Sequence, residues 1–145
     1  VVVEDSQIFE NGGGISIYEK GQLRLIRSSV FNNYTSGVSL DDSSKGLIED
    51  SNIYRNRTVG IGIGDSSSVE LLRTGISQNG TDGILLTGQP KLVVKESFIY
   101  QNGRWGLAAV LRTCGFNQDL YKGGTIDVDE SNVIIQNRRG DVCLP

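Results

Sequence analysis

The sequence predicts an all-β fold, a parallel solenoid of about six coils with 22–23 residues per coil, and three observations carry that prediction. An Ile-x-x-Asn pattern recurs at a nearly fixed spacing, a glycine follows each copy in phase, and the apolar residues inside each copy alternate with period two. The 145 residues make one ordinary domain. Its 19 glycines are too many for a helical globule, and the mixed charges, net −3, argue against disorder.

The motif stands at Ile8/Asn11, Val30/Asn33, Ile53/Asn56, Ile76/Asn79 and Ile99/Asn102, with asparagine spacings of 22, 23, 23 and 23. Gly14, Gly37, Gly60, Gly83 and Gly106 open the run that follows, with aliphatic residues one and three places on: Ile15 and Ile17, Val38 and Leu40, Ile61 and Ile63, Ile84 and Leu86, then Leu107 and Ala109. Ahead of the motif lie Val1 and Val3, Leu23 and Leu25, Val69 and Leu71, Leu92 and Val94; the third copy has Gly46 and Ile48. Such short alternating runs broken by Gly, Asn and Asp read as three strands per copy. One triplet cannot bury its apolar face alone. Stacked copies can, each strand pairing in parallel with its equivalent in the next coil at a rise of about 4.8 Å.

Two polar columns fit this stacking. Asn11, Asn33, Asn56, Asn79 and Asn102 fall at one corner, where each amide bonds to the next and where Asn tolerates the left-handed backbone a corner demands. Three of them sit in glycosylation sequons (Asn33, Asn56, Asn79), but an inward amide cannot carry a glycan. Ser6, Ser28, Ser51, Thr74 and Ser97, each five residues before an Asn, need partners between coils or on the corner backbone.

The pattern Ser-x-Ile-x-x-Asn-x-x-x-Gly-Ile-x-Ile resembles the right-handed parallel β-helix repeat family, the pectin-lyase-like fold, over residues 1–110. The resemblance implies the winding but not the function, because that family includes polysaccharide lyases and hydrolases, phage tailspikes, adhesins and other surface proteins.

Residues 111–145 break the rhythm and read as a last, expanded coil with a C-terminal cap, in which Ile134 and Asn137 echo the motif. Cys114 and Cys143 both lie there. They read as a disulfide closing a loop of about 30 residues, with two buried thiols as the alternative. A disulfide points to an extracellular or cell-surface location. Val1–Val3 reads as an inner strand without a cap, initiating Met or signal peptide. The expectation is therefore the C-terminal part of a longer chain, whose first coil docks on preceding coils or on a neighbouring subunit.

Function on a solenoid belongs to outward columns. Asp5, Arg27, Asp50, Arg73 and Glu96 alternate in sign and read as a structural ion-pair ladder. Phe9, Phe31, Tyr54 and Tyr100, interrupted by Ser77, form an aromatic column that either binds sugar rings or stiffens neighbouring strands. Glu19, Asp41, Asp42 and Asp65 form an acidic corner stripe, a candidate contact for a cation or a carbohydrate. Oxygen ligands suit Ca²⁺ and paired carboxylates suit glycosidic acid–base work, while the same residues are also common turn formers. In the pectate-lyase branch that the fold resembles, Asp residues hold Ca²⁺ and a basic side chain removes the proton; Lys45 is the nearest basic residue here. The polygalacturonase pattern needs a His that this chain lacks. Val2, Ile26, Leu47, Leu72 and Val93 trace an outward apolar ribbon.

With no His, no Ser-His-Asp triad, Cys-His dyad or His-ligated metal can be built. No apolar run reaches membrane-spanning length and no basic run suits nucleic acid. The expectation is a non-catalytic structural or recognition surface, with polysaccharide as the candidate ligand and no cofactor beyond Ca²⁺. The alternative is a polysaccharide lyase or glycosidase fragment acting through the acidic stripe.

Overall fold

The computed structural model describes residues 1–145. The first coil holds β1 (Val2–Glu4), β2 (Gln7–Phe9) and β3 (Ile15–Ile17), and the second holds β4 (Gln22–Ile26), β5 (Ser29–Phe31) and β6 (Val38–Leu40). The third contains β7 (Lys45–Glu49), β8 (Asn52–Tyr54) and β9 (Ile61–Ile63). The fourth contains β10 (Ser68–Leu72), β11 (Gly75–Ser77) and β12 (Ile84–Leu86). In the fifth come β13 (Lys91–Lys95), β14 (Phe98–Tyr100) and β15 (Trp105–Ala109). One 3₁₀ turn at Arg112–Cys114 precedes the last coil of β16 (Thr125–Val128), β17 (Val133–Ile135) and β18 (Gly140–Cys143).

Equivalent strands stack into three six-stranded parallel sheets: β1-β4-β7-β10-β13-β16, β2-β5-β8-β11-β14-β17 and β3-β6-β9-β12-β15-β18. The register places like on like, as in Leu25, Ile48, Leu71 and Val94 on the first sheet and Val30, Ile53, Ile76 and Ile99 on the second. These side chains, with Val38, Ile61, Ile84 and Leu107 from the third sheet, are fully buried between the sheets. Each contributes about 1.5–3 kcal/mol by leaving water. Where the repeat loses an aliphatic, at Gly46, the Leu40 side chain fills the space, 2.8 Å from where a Cβ would stand.

The asparagine corner is a continuous amide ladder. Asn33 donates from its backbone N–H (3.2 Å) and its Nδ2 (2.9 Å) to Asn56 Oδ1, and Asn56 does the same to Asn79. Asn79 repeats this to Asn102, and Asn102 to Asn137, which carries the ladder into the sixth coil. Each of these Nδ2 groups also donates to a core-strand carbonyl, such as Val30 O from Asn56 (3.2 Å). The sequon asparagines are accordingly buried.

The left-handed conformation, however, is not taken by these asparagines. It falls on the residue before each: Glu10, Asn32, Arg55, Gln78, Gln101 and Gln136, at φ 52–57. That residue turns the chain and points outward, which frees the Asn to aim its amide inward; the conformational cost, about 1 kcal/mol per residue, is offset by the ladder bonds. The glycine column serves the same corner. A Cβ on Gly37 would stand 2.7 Å from Asn56 Nδ2 and 2.6 Å from Ile53 Cγ2.

The other two corners carry their own ladders. Ser28 N–H donates to Ser51 Oγ and Thr74 N–H to Ser97 Oγ, each at 3.1 Å, while each hydroxyl donates to the carbonyl two residues back. At the third corner buried Ser44 and Ser67 form a similar link, Ser44 N–H to Ser67 Oγ at 3.1 Å. Outside the Ser/Thr column, Asp5 pairs with Arg27 and Asp50 with Arg73, both at 2.8 Å. Arg73 also meets Glu49, and Glu96 at 3.9 Å. The hydrogen-bonded arginines hold the Asp5 and Asp50 carboxyls below the usual carboxylate range. Cys114 and Cys143 are bonded, with Cα atoms 5.8 Å apart, tying the irregular segment after β15 to β18.

Candidate functional site

Three outward faces bear on function. On the first sheet two outward rows run along the solenoid axis: Gln22, Lys45, Ser68 and Lys91, and beside them Arg24, Leu47, Glu70 and Val93. The floor beneath is flattened at Gly46, and the rows enclose an open groove of about 440 Å³ that crosses four coils. Arg24, Lys45 and Lys91 against Glu70 leave the groove with a net charge of +2, on a chain whose net charge is −3. The apolar ribbon expected on this face is interrupted: Leu47, Leu72 and Val93 are half-buried and Val2 is exposed, but Ile26 is buried among its neighbours.

Along the acidic stripe, Glu19, Asp42 and Asp65 occupy left-handed corner positions, at φ 52, 55 and 48. Asp41, just before that turn, folds over Gly64, where a Cβ would collide with its carboxylate. Burial, then the charges of Asp65 and Asp42, push the Asp41 carboxyl up from its ordinary value. The stripe thus gathers Asp41, Asp42 and Asp65 in mutual repulsion, with Glu19 at the same corner one coil earlier, and no group of three or more acidic, His or Cys side chains is arranged to hold a metal ion.

Aromatic residues on the second sheet split into two groups. Phe9 and Phe31 stack at 5.0 Å, and Phe31 and Tyr54 at 5.0 Å with planes 2° apart. The faces between these rings are therefore covered, only the outer faces of Phe9 and Tyr54 stay open, and a sugar ring cannot lie flat along the column. Tyr100 stands two coils beyond Tyr54, across Ser77, and packs instead on Phe98, at 4.4 Å and 36°.

One buried ion pair escapes sequence reasoning. Asp82 is fully buried and accepts hydrogen bonds from Arg104 Nε (3.0 and 3.1 Å) and from Trp105 N–H (3.2 Å). Arg104 lies over the Phe116 ring and Trp105 Nε1 donates to Cys114 O, so the pair braces the irregular segment against the third sheet. The only sequence signal is an Asp just before a motif glycine with an Arg one coil later.

A chain of stacked parallel triplets with an internal amide ladder defines a class, and the sequence agrees: it matches the right-handed β-helix region family over residues 1–143, and the chain belongs to that family. Among solved structures it is similar to the periplasmic alginate epimerase AlgG, with TM-score 0.68 and 18% identity, covering 99% of this chain and 39% of that one. A single-substitution mutant of that enzyme gives TM-score 0.68 at 19% identity over 97% of this chain and 39% of that one. This chain thus spans about two-fifths of the enzyme's length, and the likeness at this identity is one of fold. None of the curated proteins matches the sequence.

Proposed function

We propose that this chain is a non-catalytic recognition module of the cell envelope or extracellular space that holds an extended anionic polysaccharide along its first sheet. The observation that carries the reading is the groove of Arg24, Lys45 and Lys91 over Leu47 and Val93, locally positive on a net negative molecule. The cations stand on the second, third and fifth coils, at steps of about 5 and about 10 Å, where they meet carboxylates along a uronic-acid polymer, and the aliphatic residues beside them meet the apolar edges of its rings. The fold's similarity to an enzyme named for alginate supports the ligand class. The Cys114–Cys143 bond supports an oxidising location. The groove contains one carboxylate, Glu70, and no second acid to pair with it, which favours binding over acid–base chemistry.

The test is calorimetric titration of the chain with alginate and polygalacturonate oligomers, and with dextran as the neutral control. Binding of the uronates that weakens steeply with salt and is lost in Lys45→Glu/Lys91→Glu supports the reading. Equal affinity for dextran, or binding indifferent to the double variant, rejects it. Ultraviolet-absorbing unsaturated ends, or C5 epimerisation seen by NMR, would show turnover and reject the non-catalytic part.

A further inference from the structure

The second sheet contains a gap in its aromatic column. On β11 both outward positions are small, Gly75 and Ser77, with buried Ile76 between them. The flanking strands carry Asn52 and Tyr54 on one side and Phe98 and Tyr100 on the other, each in register with those two positions. The result is a trench one coil wide. It is seen as two adjoining hollows of about 250 and 270 Å³ that share Asn52 and Tyr100.

The floor of the trench carries an unmet hydrogen-bonding group. Ser77 is only 8% exposed, yet its hydroxyl makes no bond within the protein and faces the hollow lined by Tyr54, Arg55, Gln78 and Tyr100. No fully buried side-chain polar atom lacks a partner, so this hydroxyl reaches the trench itself. Asn52 leans its Oδ1 over Gly75, 2.7 Å from where a Cβ would stand, adding an amide to the same wall. At the rim Arg55 Nε donates to Gln78 Oε1 (3.1 Å), which holds both side chains beside the opening.

We propose that this trench is a binding site for a single pyranose ring, inserted edgewise between Tyr54 and the Phe98–Tyr100 pair with its hydroxyls toward Ser77 and Asn52. The dimensions admit one ring, and the polar floor chooses its type. Strands two coils apart stand about 9.6 Å apart, and van der Waals contact takes about 3.7 Å from each wall. About 2 Å remains for the heavy-atom thickness of the guest. A puckered chair fits that space, and the hydroxyl of Ser77 on the floor and the amide of Asn52 on the wall give its hydroxyls the partners that a hydrocarbon ring does not use. Aromatic walls and a polar floor suit the apolar faces and the hydroxyl edge of a sugar. The site lies on a different sheet from the charged groove and takes a ring without regard to charge, so it neither requires nor follows from uronate binding.

The experiment titrates the native chain with methyl β-glucopyranoside and methyl β-galactopyranoside while recording the ring resonances of Tyr54 and Tyr100. A ring held by one sandwich and two or three hydrogen bonds binds with Kd on the order of millimolar. Saturable shifts of both rings are expected, several-fold weaker binding in Ser77→Ala, and none in Ser77→Phe, where the new ring fills the trench as Phe31 and Tyr54 do in the coils below. Should Ser77→Phe fail to fold by circular dichroism, Tyr54→Leu removes one wall and is expected to weaken binding at least tenfold. Absence of saturable shifts with both glycosides, or binding unchanged in Ser77→Phe or Tyr54→Leu, overturns the site. Saturable binding of p-cresol without either sugar overturns the assignment to a pyranose.

Discussion

Replacing Asn56 by Ala tests the amide ladder at its centre. Asn56 Oδ1 is the sole acceptor for the buried Asn33 backbone N–H and also receives Asn33 Nδ2, while Asn56 Nδ2 serves Val30 O and Asn79 Oδ1. Truncation orphans one buried backbone donor, costing about 1–3 kcal/mol, and removes at least two further bonds at about 1 kcal/mol each. The expected loss is about 3–5 kcal/mol. With a urea m-value of about 2 kcal/mol/M, the unfolding midpoint should fall by about 1.5–2.5 M. Far-ultraviolet circular dichroism and fluorescence of the single Trp, Trp105, follow the transition from the sheets and from the cap side. Asn11→Ala is the internal control: Asn11 is exposed and only its backbone N–H joins the ladder, so the cost should stay within about 0.5 kcal/mol. Equal midpoints for the two variants would refute the ladder as a source of stability.

Four further outcomes follow from the same structure. Gly37→Ala forces a methyl group against Asn56 Nδ2 and Ile53 Cγ2 and should cost about 1–3 kcal/mol by overpacking, read by the same denaturation. Opening the Cys114–Cys143 bond as a double Ala variant should cost about 3 kcal/mol, seen as a lower thermal midpoint than the oxidised chain. Asp129 is held down to about 2, first by Lys95 and then by Ser131. A depressed carboxylate contributes stability that is present above its unfolded value of about 3.9 and lost as pH falls through the folded value. Its carboxyl carbon should therefore titrate near 2 by NMR and return toward the ordinary range in Lys95→Ala. Asp41 has the opposite sign: its raised carboxyl loses stability as pH rises through the folded value, so Asp41→Asn should raise the urea midpoint at neutral pH and leave it nearly unchanged at pH 3.

The repeat was legible because each coil solves the same packing problem with the same residues. Ile53 and its equivalents, the Asn ladder and the glycine that makes room for it are all dictated by one cross-section, and period two reports it directly. What stayed hidden involves contacts between unlike positions. The left-handed backbone lies one residue before each Asn, on Gln78 or Arg55, because any L-residue that can point outward serves there, and no residue type marks the place. Asp82 reads as a surface acid until Arg104, one coil away, is seen to cover it. The aromatic column was visible, but whether its ring faces are open depends on stacking distance, and stacking closes Phe31 while leaving one side of Tyr54 free. Asp41 looks like its neighbour Asp42 in the sequence; only the turn geometry separates a carboxyl folded over Gly64 from one facing solvent.

Parallel stacking also fixes how this molecule bears load. The hydrogen bonds of all three sheets point along the solenoid axis, so tension along that axis opens coils one at a time rather than shearing them together. From the Val1 end each step releases one repeat of 22 or 23 residues, about 80 Å of contour length. From the other end the bridge between Cys114 and Cys143 withholds 29 residues, about 100 Å of slack, and couples the fifth coil to the sixth. A pull on the native chain thus yields a staircase of equal steps from one side and a locked terminus on the other, and a reductant adds length only at the locked end.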